Sequence, residues 1–178
     1  MGRSRDDGVG ERREGEKIGD EYLRKLEVIG EIYSELGQFR KVQKTQTPSE
    51  LLDVGYKTTF TKRIGYADVY LFSLVSGDWN PIHHDAEFAE KTMFGGRIAH
   101  GMLTSSLVST ALNLLPGTVV LLKSHQEYVR PVYLGDTITA EAEVVEKLPK
   151  SRYVVSTKCR NQRGETVVRG ECVVMVLD

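Results

Sequence analysis

The run His100-Gly101-Met102-Leu103-Thr104-Ser105-Ser106-Leu107-Val108-Ser109-Thr110-Ala111-Leu112-Asn113-Leu114-Leu115 reads as one long helix. Met102, Leu103, Leu107, Val108, Ala111, Leu112 and Leu115 are apolar, and the residues between them are mostly serine and threonine. A helix apolar nearly all round belongs in a core rather than on a surface. Its small residues allow a sheet to approach closely. Pro116-Gly117 ends it, because proline cannot continue a helix. Strands are predicted beyond it at 119–123 and 124–129, read as two or as one, then at 136–147, 152–160 and 166–177. Ile138, Ala140, Ala142 and Val144 alternate with Thr137, Thr139, Glu141 and Glu143, the pattern of a strand with one wet face. Asn161 to Gly164 reads as a hairpin turn. One long helix followed by successive antiparallel strands is an α+β arrangement.

Upstream of the helix, a first strand is expected over 54–64 and a short helix over 67–76, stopped by Gly77. Ser76-Gly77-Asp78-Trp79-Asn80-Pro81-Ile82-His83 follows. Gly77 permits a positive φ, and Pro81 pushes Asn80 out of the α region. The stretch therefore reads as an irregular turn. Such a turn can aim Asp78 and His83 at one point, where a carboxylate and an imidazole can hold a water and move its protons. A second short helix is expected over 85–91, with Phe88 and Ala89 facing in, then a glycine-containing loop over 92–97. The start of the long helix offers free backbone N–H groups to an anion. Together these features point to chemistry beside a carbonyl.

The motif Ser76-Gly77-Asp78-Trp79-Asn80-Pro81-Ile82-His83 follows the aromatic Phe72 and precedes Phe94-Gly95-Gly96-Arg97-Ile98-Ala99-His100-Gly101-Met102. In that order it resembles the MaoC-like, (R)-specific enoyl-CoA hydratases, and the resemblance continues weakly through Arg130-Pro131-Val132-Tyr133-Leu134-Gly135-Asp136. It covers roughly residues 50 to 178. The resemblance implies a hot-dog fold, an antiparallel sheet wrapped around the long helix, and a homodimer. It implies that Asp78 and His83 are the catalytic pair, without distinguishing base from acid. It further implies that the Gly101 N–H faces the thioester oxygen, that Asn80 orients the loop or the water, and that Ser109 lines the pocket. Trp79 is expected to wall the pocket or pack on 85–91. Arg97, Lys123 and Arg130 are candidates for CoA phosphates, His84 is a surface neighbour, and His100 stabilises the loop before the helix by a hydrogen bond. The reaction implied is reversible addition of water to trans-2-enoyl-CoA, with CoA or an acyl-carrier protein as acyl carrier and no cofactor. A dehydratase acting on acyl-carrier protein, a hot-dog acyl-CoA thioesterase and a non-catalytic acyl-thioester-binding module are the alternatives.

The remaining residues bound the reading. The 178 residues are expected to divide into a charged extension over 1–47, carrying an amphipathic helix at 20–41, and one domain over 48–178. A net charge of -1 predicts no bulk attraction to nucleic acid. No apolar run is long enough to span a bilayer and the N-terminus is no secretory signal, so a cytoplasmic protein is expected. The histidines fall at no metal-ligand spacing, so no metal site is expected. Cys159 and Cys172, placed opposite Thr166 and Tyr153 by a turn at Gln162-Arg163, would lie about 20 Å apart at ~3.3 Å per residue. That is too far for a disulfide.

Overall fold

The computed structural model describes residues 52–177. They lie within one compact unit, Val42–Asp178. The extension expected over 1–47 and the amphipathic helix expected over 20–41 fall outside the described residues. Among these, the elements run β1 (Lys57–Arg63), α1 (Tyr66–Ser76), α2 (Pro81–His84), α3 (Ala86–Glu90), α4 (Gly101–Asn113), β2 (Thr118–Tyr128), β3 (Thr137–Leu148), β4 (Arg152–Arg160) and β5 (Thr166–Leu177). The strands form one antiparallel sheet in the order β1-β3-β4-β5-β2. The helix α4 lies across it, touching β1, β2, β3 and β4. This is the hot-dog arrangement. No helix among the described residues is long and apolar enough to cross a membrane.

The core is the contact between α4 and the inner face of the sheet. Ile138, Ala140, Ala142 and Val144 are fully buried, as their alternation predicts. The two alanines leave room for the helix, and the Thr58 hydroxyl donates to the Ala111 carbonyl at 2.7 Å, tying β1 to α4. The helix is not buried all round, however. Leu103, Leu107, Ala111 and Leu112 are inside, whereas Met102 is 67% exposed and Ser106, Ser109 and Asn113 face outward. One sheet covers only one side of a helix, and the side left open carries small polar residues with Met102 as its one large apolar side chain.

Strands β4 and β5 have the predicted limits, but their register differs. Cys159 pairs with Val168 and Cys172 with Val155. The Asn161 side-chain carbonyl accepts from the N–H groups of Arg163 and Glu165 at 3.0 and 3.1 Å, which widens the loop beyond a two-residue turn. At ~3.3 Å per residue the cysteines are then about 13 Å apart along the sheet. Both are buried and free, and burial pushes the Cys159 thiol up to about 12. At the outer side of β5, Gly170 pairs with Gln126, and a Cβ there would sit 2.0 Å from the His125 carbonyl oxygen. The other differences are small. β1 starts later than expected because Asp53–Tyr56 forms a turn closed by Tyr56 N–H to Asp53 O, 3.0 Å. Phe88 is 46% exposed, and only Ala89 of its pair packs inward.

Candidate active site

The segment expected to be wholly irregular contains a turn of helix. Gly77 ends α1 in the left-handed region, φ 75°, with its N–H on Ser73 O at 2.9 Å. Pro81 then begins α2 at its first position, where a missing N–H is no loss. Asn80 keeps the extended ψ of 126° that a following proline imposes and caps the helix, its side chain accepting from Ile82 N–H at 3.1 Å. The asparagine therefore holds the start of this helix through its side-chain oxygen. Its backbone N–H donates to the Asp78 carboxylate at 3.1 Å.

This folding-back brings Asp78 and His83 together. A ligating atom from each of Asp78, His83 and His100 lies within 4.8 Å of the other two. Spacing along the chain did not reveal this three-membered cluster, because His100 arrives from the far side of a loop. His83 is 8% exposed, whereas the Asp78 side chain is half exposed. The Nδ1 of His83 is 2.8 Å from the Ile98 carbonyl, which can only accept. Nδ1 thus carries the proton in the neutral ring, and Nε2 is bare. The His100 ring stacks on His83, with centroids 3.7 Å apart and a tilt of 34°. Its Nε2 is 3.2 Å from the Asp78 backbone carbonyl and 3.9 Å from the Asp78 carboxylate. His100 thus reaches back to the Asp78 loop rather than stabilising the loop beside it. Burial holds the His100 imidazole below its usual value, and His83 beside it lowers it further, against an opposing hydrogen bond to Asp78. The three donor atoms lie close enough together to hold a metal ion, a grouping that the spacing of the histidines does not suggest, although His100 Nε2 already faces the Asp78 carbonyl.

His100 caps α4, so Gly101 is the first residue of that helix. Its N–H belongs to the first turn, which has no intrahelical acceptors. A cavity of about 390 Å³ opens beside it, lined by Phe94, Ile98, Ala99, Gly101, Thr104, Tyr128, Arg130 and Val132 among others. Cavity and polar cluster meet at the Ala99–Gly101 backbone. Asp78, His83, Trp79 and Ser109 do not line it.

Three further expectations change. Trp79 packs edge-on against Tyr70 and obliquely on His84, and does not line the cavity. Arg97 lies over the Tyr66 ring at 5.1 Å and donates to the His84 carbonyl at 3.4 Å, so its guanidinium is engaged within the chain. Arg130 does line the cavity, while donating to Thr166 O at 2.8 Å. His84 is no mere surface neighbour. It is half-buried among Tyr66, Tyr70, Trp79 and His100, and its Nε2 is 2.8 Å from the Ser73 hydroxyl. The clue to Ser73 was a small polar residue on the inward face of α1, where only apolar ones are expected.

The family described as MaoC like domain matches residues 41–164. The chain belongs to it. The (R)-specific enoyl-CoA hydratase of Aeromonas caviae is 40% identical over 129 residues, 71% of this chain and 96% of that one. The mitochondrial 3-hydroxyacyl-[acyl-carrier-protein] dehydratase of Arabidopsis thaliana is 37% identical over 122 residues, 66% of this chain and 73% of that one. Among solved structures, the unliganded R-hydratase of Pseudomonas aeruginosa superposes with a TM-score of 0.70 at 43% identity, covering 74% of this chain and 86% of that one. This MaoC-like protein is a hydro-lyase of the hydratase and dehydratase type.

Proposed function

We propose that this protein is an (R)-specific enoyl-CoA hydratase, adding water reversibly to trans-2-enoyl-CoA to give (R)-3-hydroxyacyl-CoA. The observation that carries this reading is the convergence of the Asp78 carboxylate and the His83 ring within 4.8 Å, beside a helix start that ends in Gly101. A water held between the two loses a proton to one of them as its oxygen attacks C3. The other helps deliver a proton to C2. Negative charge grows on the thioester oxygen and is met by the Gly101 N–H. Donors aimed at developing charge commonly supply about 3 to 4 kcal/mol. Asn80 holds the loop, and Arg130 at the cavity is the better placed of the two arginines for a CoA phosphate. Proton transfer from water needs neither a metal nor a redox cofactor. CoA is the acyl carrier, and the protein works in the cytoplasm.

A homodimer fits this reading. The outward face of α4 carries Ser109 and Met102, and the edge strand β2 exposes Leu121 and Leu122 at 51% and 48%. A second copy pairing at this edge would satisfy its free backbone groups and close the acyl pocket over Ser109. Dehydration on an acyl-carrier protein would use the same groups, and the Arabidopsis relative bears that name.

Loss of the conjugated-enoyl absorbance of crotonyl-CoA tests the reading, with a stereospecific dehydrogenase reporting the hand of the product. Wild type should hydrate it to the (R) product. Asp78→Asn and His83→Ala should each lose roughly 10²- to 10⁴-fold in kcat. Full activity in Asp78→Asn would falsify the reading. Dehydration of a 3-hydroxyacyl group only when carried by acyl-carrier protein would move the assignment to the second carrier.

A further inference from the structure

Behind the catalytic pair lies a second set of polar groups that the reaction does not itself require. Ser73 is fully buried on α1. Its hydroxyl is 2.8 Å from His84 Nε2, 3.2 Å from His100 Nε2 and 3.1 Å from the Val69 carbonyl. His100 Nε2 in turn faces the Asp78 carbonyl, and His100 Nδ1 is buried without a partner.

These contacts fix the proton on His100. The Asp78 carbonyl can only accept, so Nε2 must donate. Nδ1 is then bare, which is the less costly way to bury an unpaired nitrogen, since orphaned N–H groups are rare. The Ser73 oxygen receives a share of the same Nε2–H. Its own proton goes to His84 Nε2 when that nitrogen is bare, and to the Val69 carbonyl when Nε2 carries the proton. When His84 is protonated, Nε2–H donates to Ser73 and the hydroxyl turns to the Val69 carbonyl. In either state Ser73 is satisfied and remains an acceptor for His100. The arrangement holds the His100 ring edge while Phe72 and His83 hold its faces.

The ring matters because of what it restrains. The other hydrogen bonds of the Asp78 loop among the described residues are local: Gly77 to Ser73, Asp78 to Ser76, Asn80 to Asp78, and Ile82 and His83 to Asn80. His100 makes the one long-range hydrogen bond to Asp78. We propose that Ser73 and His84 are positioning residues that lock His100 in its Nε2–H form and, through it, hold the exposed Asp78 in reach of the water. The groups facing His84 are Tyr66, Ser73 and Tyr70 on α1, Asp78 and Trp79 on the loop, His83 on α2, and Arg97 and His100 beyond. Burial first, then His100, His83 and Arg97, hold its imidazole below the usual value, so it is neutral under ordinary conditions.

This inference rests on Asp78 and His83 being the catalytic pair, and the test separates the two. Nitrogen-15 spectra of histidine-labelled protein should show His100 with Nε2 protonated and Nδ1 bare near neutral pH. Ser73→Ala and His84→Phe should mix the two His100 tautomers. They should lower kcat with crotonyl-CoA by roughly ten- to a hundred-fold, with KM nearly unchanged and with a larger loss than any fall in melting temperature accounts for. His84→Gln, which can still pair with the Ser73 hydroxyl, should recover most of the kcat lost in His84→Phe and restore the single tautomer. Because His84 is only half-buried, its variants fold even if Ser73→Ala does not. Unchanged kcat and unchanged His100 signals in both variants overturn the proposal. So does a loss of kcat that tracks melting temperature while the signals stay fixed. Persistent activity of Asp78→Asn would instead remove the reading beneath it.

Discussion

The ring of Tyr128 lies against the Cα of Gly101. A Cβ on Gly101 would be 2.9 Å from Tyr128 Cδ1 and 3.0 Å from Cε1. The tyrosine is held there by its hydroxyl, 3.2 Å from the Ser105 hydroxyl. Strand β2 and the start of α4 are thus locked together at the residue whose N–H faces the developing oxyanion in the proposed reaction.

Gly101→Ala should therefore displace Tyr128 or the helix start. Overpacking of this kind costs about 1 to 3 kcal/mol. The loss in kcat should exceed the loss in stability, because the donor moves as well. Gly101→Ala with Tyr128→Ala relieves the contact and should recover stability relative to Gly101→Ala alone. A double-mutant cycle by denaturant melting, run beside crotonyl-CoA hydration, measures both. Additive stabilities would show that the ring and the glycine do not press on each other.

Asn80 is tested by separating its capping oxygen from its lack of charge. Asn80→Ala removes the acceptor of Ile82 N–H, and loss of a cap costs about 0.5 to 2 kcal/mol. Asn80→Asp keeps the acceptor and should melt close to wild type. It also adds a negative charge next to Asp78, so its hydration rate should fall while its stability holds. Equal melting temperatures for Asn80→Ala and wild type would show that the cap contributes nothing.

The two lowered histidines give a pH dependence whose sign is fixed. His84 and His100 bind protons less readily folded than unfolded. Unfolding is therefore favoured by acid in the interval between their folded values and the ordinary value of about 6.5. Melting temperature should be flat just above about pH 6.5 and fall below it, before carboxylates titrate below about pH 5. His84→Gln should flatten part of that fall. A slope between pH 5 and 6.5 identical in wild type and His84→Gln would exclude His84 as its source.

Gly170 is needed for space. With a Cβ 2.0 Å from the His125 carbonyl and 2.8 Å from Gln126 Oε1, Gly170→Ala has to push β2 away from β5. Destabilisation by about 1 to 3 kcal/mol is expected. Gly96→Ala, where nothing lies within 4 Å of the added atom, serves as the control. Similar melting for the two variants would contradict the crowding.

Much of this was legible in the chain. Strands β4 and β5 were found to the residue because their apolar residues alternate against a buried face. Asp78 and His83 were found because their motif is contiguous and proline and glycine force it to fold back. The rest depends on where distant residues arrive. The β4–β5 register follows from an Asn161 side chain turning into its own loop, which alternation does not encode. Ser73, His84 and His100 are separated by 11 and 27 positions from the serine outward, with no period to join them. Arg97 looked free for phosphate because its partners, a tyrosine face and a backbone carbonyl, carry no charge pattern. The open side of α4 was missed because its serines are small enough to be read as room for a sheet, although they face outward.

The Asp78–His100 hydrogen bond spans 22 positions, whereas the Thr61–Thr139 pair that closes β1 onto β3 spans 78. Closing the longer loop costs about 1 kcal/mol more in chain entropy. The reacting groups are therefore gathered by one of the shorter loops, and the outer strand is recruited by one of the longer. During refolding, pulse-labelled amides of residues 77–101 should gain protection no later than those of β1, and the reverse order would exclude this sequence of events. A destabilised variant that frays at β1 would accordingly keep its site assembled longer than its sheet.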